Sequence, residues 1–320
     1  MTQGHPPERA VTARHTHSLR ETWSAFAGLS GLALAVGIVL SNVSPSLARS
    51  PQRDGASVAA TGPDCPGGQT DAVGGIARWS DVGALVLVDG KSLVPEGIAL
   101  PTRLWPDRRL LALAGEAAAS VLDGCAIAPA APAPDRHGRL VGPAGLMCPA
   151  AGEGRREDLA TALIRAGAGY ATADGDATCV ARRLDAEAEA RGARRGIWSL
   201  PTAVAQAGDE QAMEERLGLF SVAEGRVLAA GGRDRIFLNF GARWKQDFTV
   251  MLAREDFATI LGDRLDPAIL RGSLIQVRGI VREEGGPAMA PRRRGEVLRI
   301  EGRVDPAHDT QALPSRRRER

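Results

Sequence analysis

The sequence predicts an α+β protein, mainly β with a few helices, organised as more than one domain. Three observations carry this. The chain has 320 residues, too long for one small domain and comfortable for two at roughly 100–200 residues each. Hydrophobic residues make up 44% and charged residues 24%, enough to bury a core, which excludes a chain disordered throughout. Short apolar runs bounded by Gly, Pro and Asp recur along it, and a few longer stretches have helical period instead.

The first 24 residues are polar and carry Arg9, Arg14 and Arg20. The hydrophobic segment follows at 25–43, inside a stretch, 22–48, that has no charge. Its strongly apolar part is Ala25–Leu40, and Ser46 and Ala48 precede Arg49 in an A-x-A-like pattern. Signal peptides span about 15–30 residues with an apolar region of about 7–15. Membrane spans need about 17–25 apolar residues. The segment lies between these classes, so an N-terminal hydrophobic helix is expected either as a retained membrane anchor or as a cleaved signal. Both readings put the rest of the chain outside the cytoplasm, on the periplasmic side of the inner membrane if anchored, periplasmic or secreted if cut. A Pro/Gly/Ser-rich linker is expected over 44–75.

The four cysteines, Cys65, Cys125, Cys148 and Cys179, match no CxxC or zinc spacing. In an oxidising compartment disulfides are the default, and four cysteines allow three connectivities. Cys125 and Cys148 are equidistant from the middle of the Asp135-Arg136-His137-Gly138 turn. An antiparallel pair centred there sets them directly across the ladder, leaving Cys65 for Cys179.

In the domain at 76–201, Leu85–Val88 is a short strand, Asp89-Gly90 a hairpin turn and Leu93–Val94 the return. Leu110–Leu122 is expected to be helical. Two strands flank the 135–138 turn. Glu157–Tyr170 follows as a helix, then Thr178–Trp198 as a highly charged one with Val180, Leu184 and Ala188 as its apolar stripe. Residues 202–217 read as a linker. The domain at 218–304 has strands at Val222–Leu228, Ile236–Phe240, Phe248–Leu252, Leu274–Val281 and Val297–Ile300, with a short helix at Glu255–Leu261. Five short strands and one helix fit a small OB-type barrel. The last segment, 305–320, is expected to be a disordered basic tail.

The net charge is +2, so no large field draws the whole chain to nucleic acid or an anionic membrane. All basic residues but Lys91 and Lys245 are arginine. In so Arg-biased a sequence, Arg292–Arg294 and the tail arginines read as solvated surface. Phe237, Phe240, Trp244 and Phe248 fit either a stacking face for single-stranded nucleic acid or sugars, or a barrel core. His137 reads as a solvated turn residue and Trp198 as a core plug.

The strand–Asp-Gly–strand element, the helix, DRHGRLV at 135–141, EDLATALIRAGAGYA at 157–171 and AEAEARGARRGIWSLP at 186–201 together resemble the staphylococcal-nuclease-like (thermonuclease) family over roughly 76–201. The resemblance implies a five-stranded OB-type barrel with three helices, and so two such barrels in tandem. It also implies calcium-assisted phosphodiester hydrolysis, with carboxylates on the metal, a Glu on the attacking water and two Arg on the phosphoryl charge. Carried over by position, the family's metal-binding aspartates fall on Gly83 and Ala99, its catalytic Glu on Thr102 and its first Arg on Val94. Only the second Arg matches, as Arg139. Arg139, with Asp135 of the same turn, is therefore the one binding candidate, either as a phosphate clamp or as a structural hydrogen-bonder.

A calcium ion needs about 6–8 oxygen ligands with carboxylates carrying the charge, so no metal site and no cofactor are expected. The expected function is a catalytically inactive binding or scaffolding module, with nucleic acid or an envelope protein as partner and the membrane reached through the N-terminal segment. The alternative is an active, divergent calcium-dependent nuclease that recruits other carboxylates, of which Asp107, on the loop after Thr102, is the best candidate; Asp81 aligns off the ligand position and Glu96 is expected on the opposite strand face.

Overall fold

The Asp89-Gly90 turn closes the first hairpin, with Gly90 at φ 82° and the Asp89 carboxylate accepting the Lys91 amide at 3.0 Å. The strands it joins, Ala84–Leu87 and Ser92–Pro95, set Leu85 opposite Leu93. The computed structural model describes residues 65, 75, 77–149, 156–243, 246–261 and 266–300, all within one unit, Ala59–Arg320. The hydrophobic segment 25–43, nearly all of the 44–75 linker and the tail lie outside the described residues. Among the described residues no helix is long and apolar enough to cross a membrane.

The protein is α+β. In its first part a five-stranded sheet runs Ala77–Ser80, Ala84–Leu87, Ser92–Pro95, Leu140–Gly142, Ala133–Pro134, with the third and fourth strands parallel. A three-stranded sheet is built from Ala126–Pro129, Ala144–Met147 and Arg156–Asp158. No ladder closes on itself among the described residues.

Ala126 faces Met147 in antiparallel register, so Cys125 and Cys148 follow directly across and are disulfide-bonded, Cα to Cα 4.3 Å. Cys65 and Cys179 form the second bridge, and no cysteine is free. Closer to the turn the register slips by one, with Ala133 facing Val141. The extra residue is taken up at 130–132, where Ala131 sits at φ 45°. This bulge lets one hairpin leave the three-stranded sheet and enter the five-stranded one.

Helix α1, Arg108–Leu122, buries Leu110, Ala114, Ala118 and Leu122, a stripe at i+4 spacing, and Asp107 caps its first turn. Helix α2 spans only Leu159–Ala166, shorter than the expected Glu157–Tyr170. Asp158 caps it, and Gly167, at φ 81°, ends it in the left-handed C-cap conformation. Tyr170–Ala171 is extended and pairs with Ile98–Ala99. Leu159, Leu163 and Ile164 are fully buried, each contributing about 1.5–3 kcal/mol of hydrophobic stabilisation.

Helix α3, Ala177–Gly192, also stops before the expected Trp198. Arg194 at φ 54° and Gly196 at φ 50° break it ahead of a 3₁₀ turn at Gly196–Ser199. Its buried face is Cys179, Val180, Arg183, Ala186, Glu187 and Ala190; of the expected stripe Val180 is buried, Leu184 is half-buried against the first core and Ala188 is exposed.

Residues 202–217 do not form a free linker. Ala205–Gln206 pairs in parallel with the strand Phe220–Arg226, α4 spans Glu210–Glu214, and Met213 is fully buried. The second part has a four-stranded sheet (Ala205–Gln206, Phe220–Arg226, Leu274–Ile280, Val297–Arg299) and a five-stranded one (Ala229–Gly231, Arg235–Asn239, Thr249–Ala253, Pro287–Met289, Arg282–Glu283), with α5 at Arg254–Leu261. This is more than the expected five strands. The short pieces at 205–206, 229–231, 282–283 and 287–289 carry no apolar alternation long enough to read.

Each part has its own apolar core. A third cluster, with Trp105, Tyr170, Ile197, Trp198 and Val222, joins them. Trp105 stacks on Tyr170 at 5.2 Å between centroids, and Trp198 meets Tyr170 edge-on at 5.3 Å.

Candidate functional site

The family positions fall on the first five-stranded sheet and its extension. Gly83 enters the second strand, Val94 lies in the third, and Arg139 leads into the fourth, where Leu140 faces Leu93 and Val141 faces Val94. Thr102 is brought to Gly83 by an isolated bridge between Val82 and Thr102. Ala99 pairs with Tyr170.

Gly83 sits at φ 73°, and a Cβ built there meets only the Thr102 methyl at 3.0 Å and the Leu100 carbonyl at 3.4 Å. A carboxylate at 83 would therefore need both a left-handed backbone and a displaced threonine. The neighbouring segments are exposed and mixed in character: Val82 is 40% and Leu104 72% exposed, and Asp81 and Arg103 sit beside them. The Thr102 hydroxyl accepts the Leu104 amide at 3.2 Å and shapes the loop. Among the described residues no group of three or more His, Cys, Asp or Glu is placed to hold a metal ion.

Asp81, two residues before Gly83, is exposed, and its backbone carbonyl accepts the Arg103 amide at 2.9 Å, while Asp107 and Glu96 lie against other elements. Asp107 caps α1, pairs with Arg109 at 2.9 Å and accepts the Thr202 hydroxyl at 2.7 Å. The Arg109 guanidinium, then the Thr202 hydroxyl, hold its carboxyl well below the usual carboxylate range against partial desolvation. Glu96 lies in the turn after Ser92–Pro95, not on a strand, with its carboxylate against Gly175 in the loop before α3.

Arg139 is bound within its own turn. Asp135 Oδ2 accepts its Nε at 2.8 Å and lies 2.7 Å from its Nη2, while Asp135 Oδ1 accepts the amides of Arg139 at 2.9 Å and His137 at 2.8 Å. Partial desolvation acts to raise the Asp135 pKa. The Arg139 amide and guanidinium and the His137 amide outweigh it and hold the group at about 2. The pair is the hydrogen-bonded core of the DRHGR turn. His137 donates nothing to a cleft; its Nε2 accepts from Arg136 at 3.0 Å.

Of the residues expected as core or stacking face, Phe240 and Phe248 are core and pack together at 5.4 Å. Phe237 faces outward, 38% exposed. Trp244 lies outside the described residues. Trp198 is core, with the Arg191 guanidinium 5.1 Å above its ring.

The strongest electrostatic feature has no counterpart in the sequence reading. Glu187 of α3 accepts Arg278 through both oxygens, at 2.9 and 3.0 Å, and also the Ala171 amide at 2.7 Å. Arg278 also donates to Gln276, Gln276 donates to Glu224 at 2.6 Å, and Glu224 accepts Arg191 at 2.8 Å. The chain of bonds leaves α3 at Glu187, crosses the Leu274–Ile280 strand and returns to α3 at Arg191. One turn earlier on the same helix, Arg183 pairs with Asp158, the α2 cap, at 3.1 Å. The signal for both was the i, i+4 spacing of Arg183 and Glu187 in line with Cys179.

No family model and no curated protein matches the chain.

Proposed function

We propose that this chain is an exported, thermonuclease-like protein that has lost phosphodiester chemistry and works as a binding or scaffolding module. On this reading the first part is a nuclease-type OB barrel and the second an OB-type barrel. The N-terminal segment, retained or cut, delivers both to the periplasmic side of the inner membrane or beyond. The two disulfides fit an oxidising compartment.

The observation that carries the reading is at Gly83. The position that should present a metal-binding carboxylate is a left-handed glycine against a threonine methyl, and Asp107 and Asp135 are neutralised by Arg109 and Arg139. Loss of one catalytic acid–base group costs about 10²–10⁴ in rate; here metal ligands, water-activating acid and one clamp are missing together. The lining of the surface groove in the second part includes no lysine or arginine, which favours a neutral or protein partner over nucleic acid.

The test is incubation of the purified chain with single-stranded DNA and RNA, with calcium and with chelator. No chelator-sensitive cleavage is expected. Cleavage abolished both by chelator and by Arg139→Ala would overturn the proposal in favour of an active nuclease.

A further inference from the structure

The second part's five-stranded sheet carries a groove of about 530 Å³ on its outer face, within the range of about 300–1,000 Å³ typical of small-ligand sites. Its floor is two cross-strand rows. One runs Gly231, Phe237, Met251; the other runs Ala229, Asn239, Thr249. Residues at alternate positions of neighbouring strands share a face, so these side chains project together. On the central strand the intervening Ile236 and Leu238 are fully buried in the core, while Phe237 is 38% exposed.

The groove's depth follows from glycine. A Cβ added at Gly231, directly opposite Phe237, meets nothing within 4 Å, so one side of the trough is bare backbone beside an open aromatic ring. Asn239 Oδ1 accepts the Thr249 hydroxyl at 3.1 Å. That bond fixes the amide and leaves its NH₂ to donate. At the rim, Glu284 lines the groove and pairs with Arg235 at 3.1 Å.

We propose that this groove binds a neutral saccharide ring of a glycan, with the sugar's C–H face on Phe237 and its hydroxyls on Asn239 and the Arg235–Glu284 pair. A flat apolar ring beside a fixed amide and a carboxylate–guanidinium pair offers stacking plus donors and acceptors at adjacent points, which is what a polyhydroxylated ring requires. A phosphate chain is disfavoured because its affinity comes from cations: the lining holds none, and Arg235 at the rim is already paired with Glu284. The proposal rests on the reading of the chain as a binding module and adds the ligand class.

The test is calorimetric titration of the full chain with neutral tetrasaccharides (chitotetraose, cellotetraose, maltotetraose) and, separately, with single-stranded oligothymidine. Saturable binding of at least one saccharide is expected, unchanged between about 50 and 500 mM salt. Phe237→Ala should weaken it about tenfold or more, the scale of a lost stacking contact, and Asn239→Ala should weaken it too. Both residues are on the solvent face, and circular dichroism checks that the variants fold. No saturable saccharide binding, or saccharide binding indifferent to both substitutions, overturns the proposal. Oligothymidine binding that falls steeply with salt and needs Phe237 overturns it in favour of nucleic acid. The cleavage assay is independent. A chain that binds sugar and cleaves DNA sinks the proposed function alone; one that does neither sinks only the saccharide site.

Discussion

Replacing Arg278 by methionine should be among the most damaging single changes in the second part. Arg278 and Glu187 have side-chain exposures of 1% and 3%. Methionine fills much of the volume but leaves Glu187 with only the Ala171 amide and strands the Gln276 carbonyl. Two charge-assisted hydrogen bonds at about 1.5–3 kcal/mol each give about 3–6 kcal/mol. Removing one partner of a buried pair costs about 3–5 kcal/mol in general, so the two routes agree. Glu187→Leu alone should cost a similar amount, because it strands the arginine. The double variant Glu187→Leu/Arg278→Met should cost far less than the sum, since no buried charge is left alone. The assay is urea denaturation with both disulfides intact, followed by tryptophan fluorescence, since Trp105 and Trp198 sit in the joining cluster. The single variants should also broaden or split the transition as the two cores lose their shared bonds. A loss below about 1 kcal/mol for Arg278→Met, or an additive double variant, would refute the idea that this pair joins the two parts.

Other consequences are open to direct measurement. Asp135 should titrate near pH 2 by carboxyl NMR. Its folded pKa is depressed, so the order it gives the 135–139 turn is complete above the ordinary carboxylate value near 4 and lost as pH falls through about 2. Gly167→Ala should cost more than the about 1–2 kcal/mol of a left-handed alanine, because the new Cβ runs into the Arg195 carbonyl and parts α2 from the 196–199 turn; thermal melts check this. The Cys65–Cys179 bridge spans 114 residues and Cys125–Cys148 spans 23. Chain entropy therefore predicts losses of about 5 and about 3.5 kcal/mol on removing each as a double serine variant, with the longer loop the greater. Cys65 and Cys179 are both buried, whereas Cys148 is half-buried, so mild reductant should open Cys125–Cys148 first, as peptide mapping would show.

How far the sequence could be read depended on whether a residue's neighbours were close in the chain. The Asp89-Gly90 hairpin, the Asp135 turn and the Cys125–Cys148 register were legible because each is set by a local turn. Helix α2 was overextended because AGAGY reads as helical by its alanines, while Gly167 and Gly169 are there for close backbone approach, to Arg195 and Ala99 respectively. The buried face of α3 is only partly legible, through Val180 and Leu184, for two reasons. Alanine is so frequent that an apolar stripe can be drawn along several faces. And a charged pair reads as solvated until its partner is known, which for Glu187 is 91 residues away. On the partner strand, Gln276 and Arg278 alternate with Ile275 and Val277, which reads as a solvent face. That face is real, but another part of the same chain covers it. Positions 83, 99 and 102 stand out only by comparison with a motif, and only the structure shows the Thr102 methyl 3.0 Å from where a Cβ at 83 would sit.

The same contrast bears on function. A hydrolytic cleft keeps acids unneutralised, facing substrate, at a cost in stability that the surrounding fold must offset. In this protein four acids each pair with an arginine and are placed to hold backbone: Asp107 with Arg109 at a helix cap, Asp135 with Arg139 in a turn, Asp158 with Arg183 at a second cap, Glu187 with Arg278 across the joint. Charge used in this way is unavailable for coordinating a cation or activating water, but it fixes one face relative to another. A frame stiffened like this can offer a ligand a pre-formed surface with little ordering cost. What it offers at the groove is an aromatic ring, an amide and a neutralised ion pair, contacts that discriminate by shape and hydrogen bonding. Selectivity among uncharged rings, insensitive to ionic strength, is therefore the behaviour to expect of it.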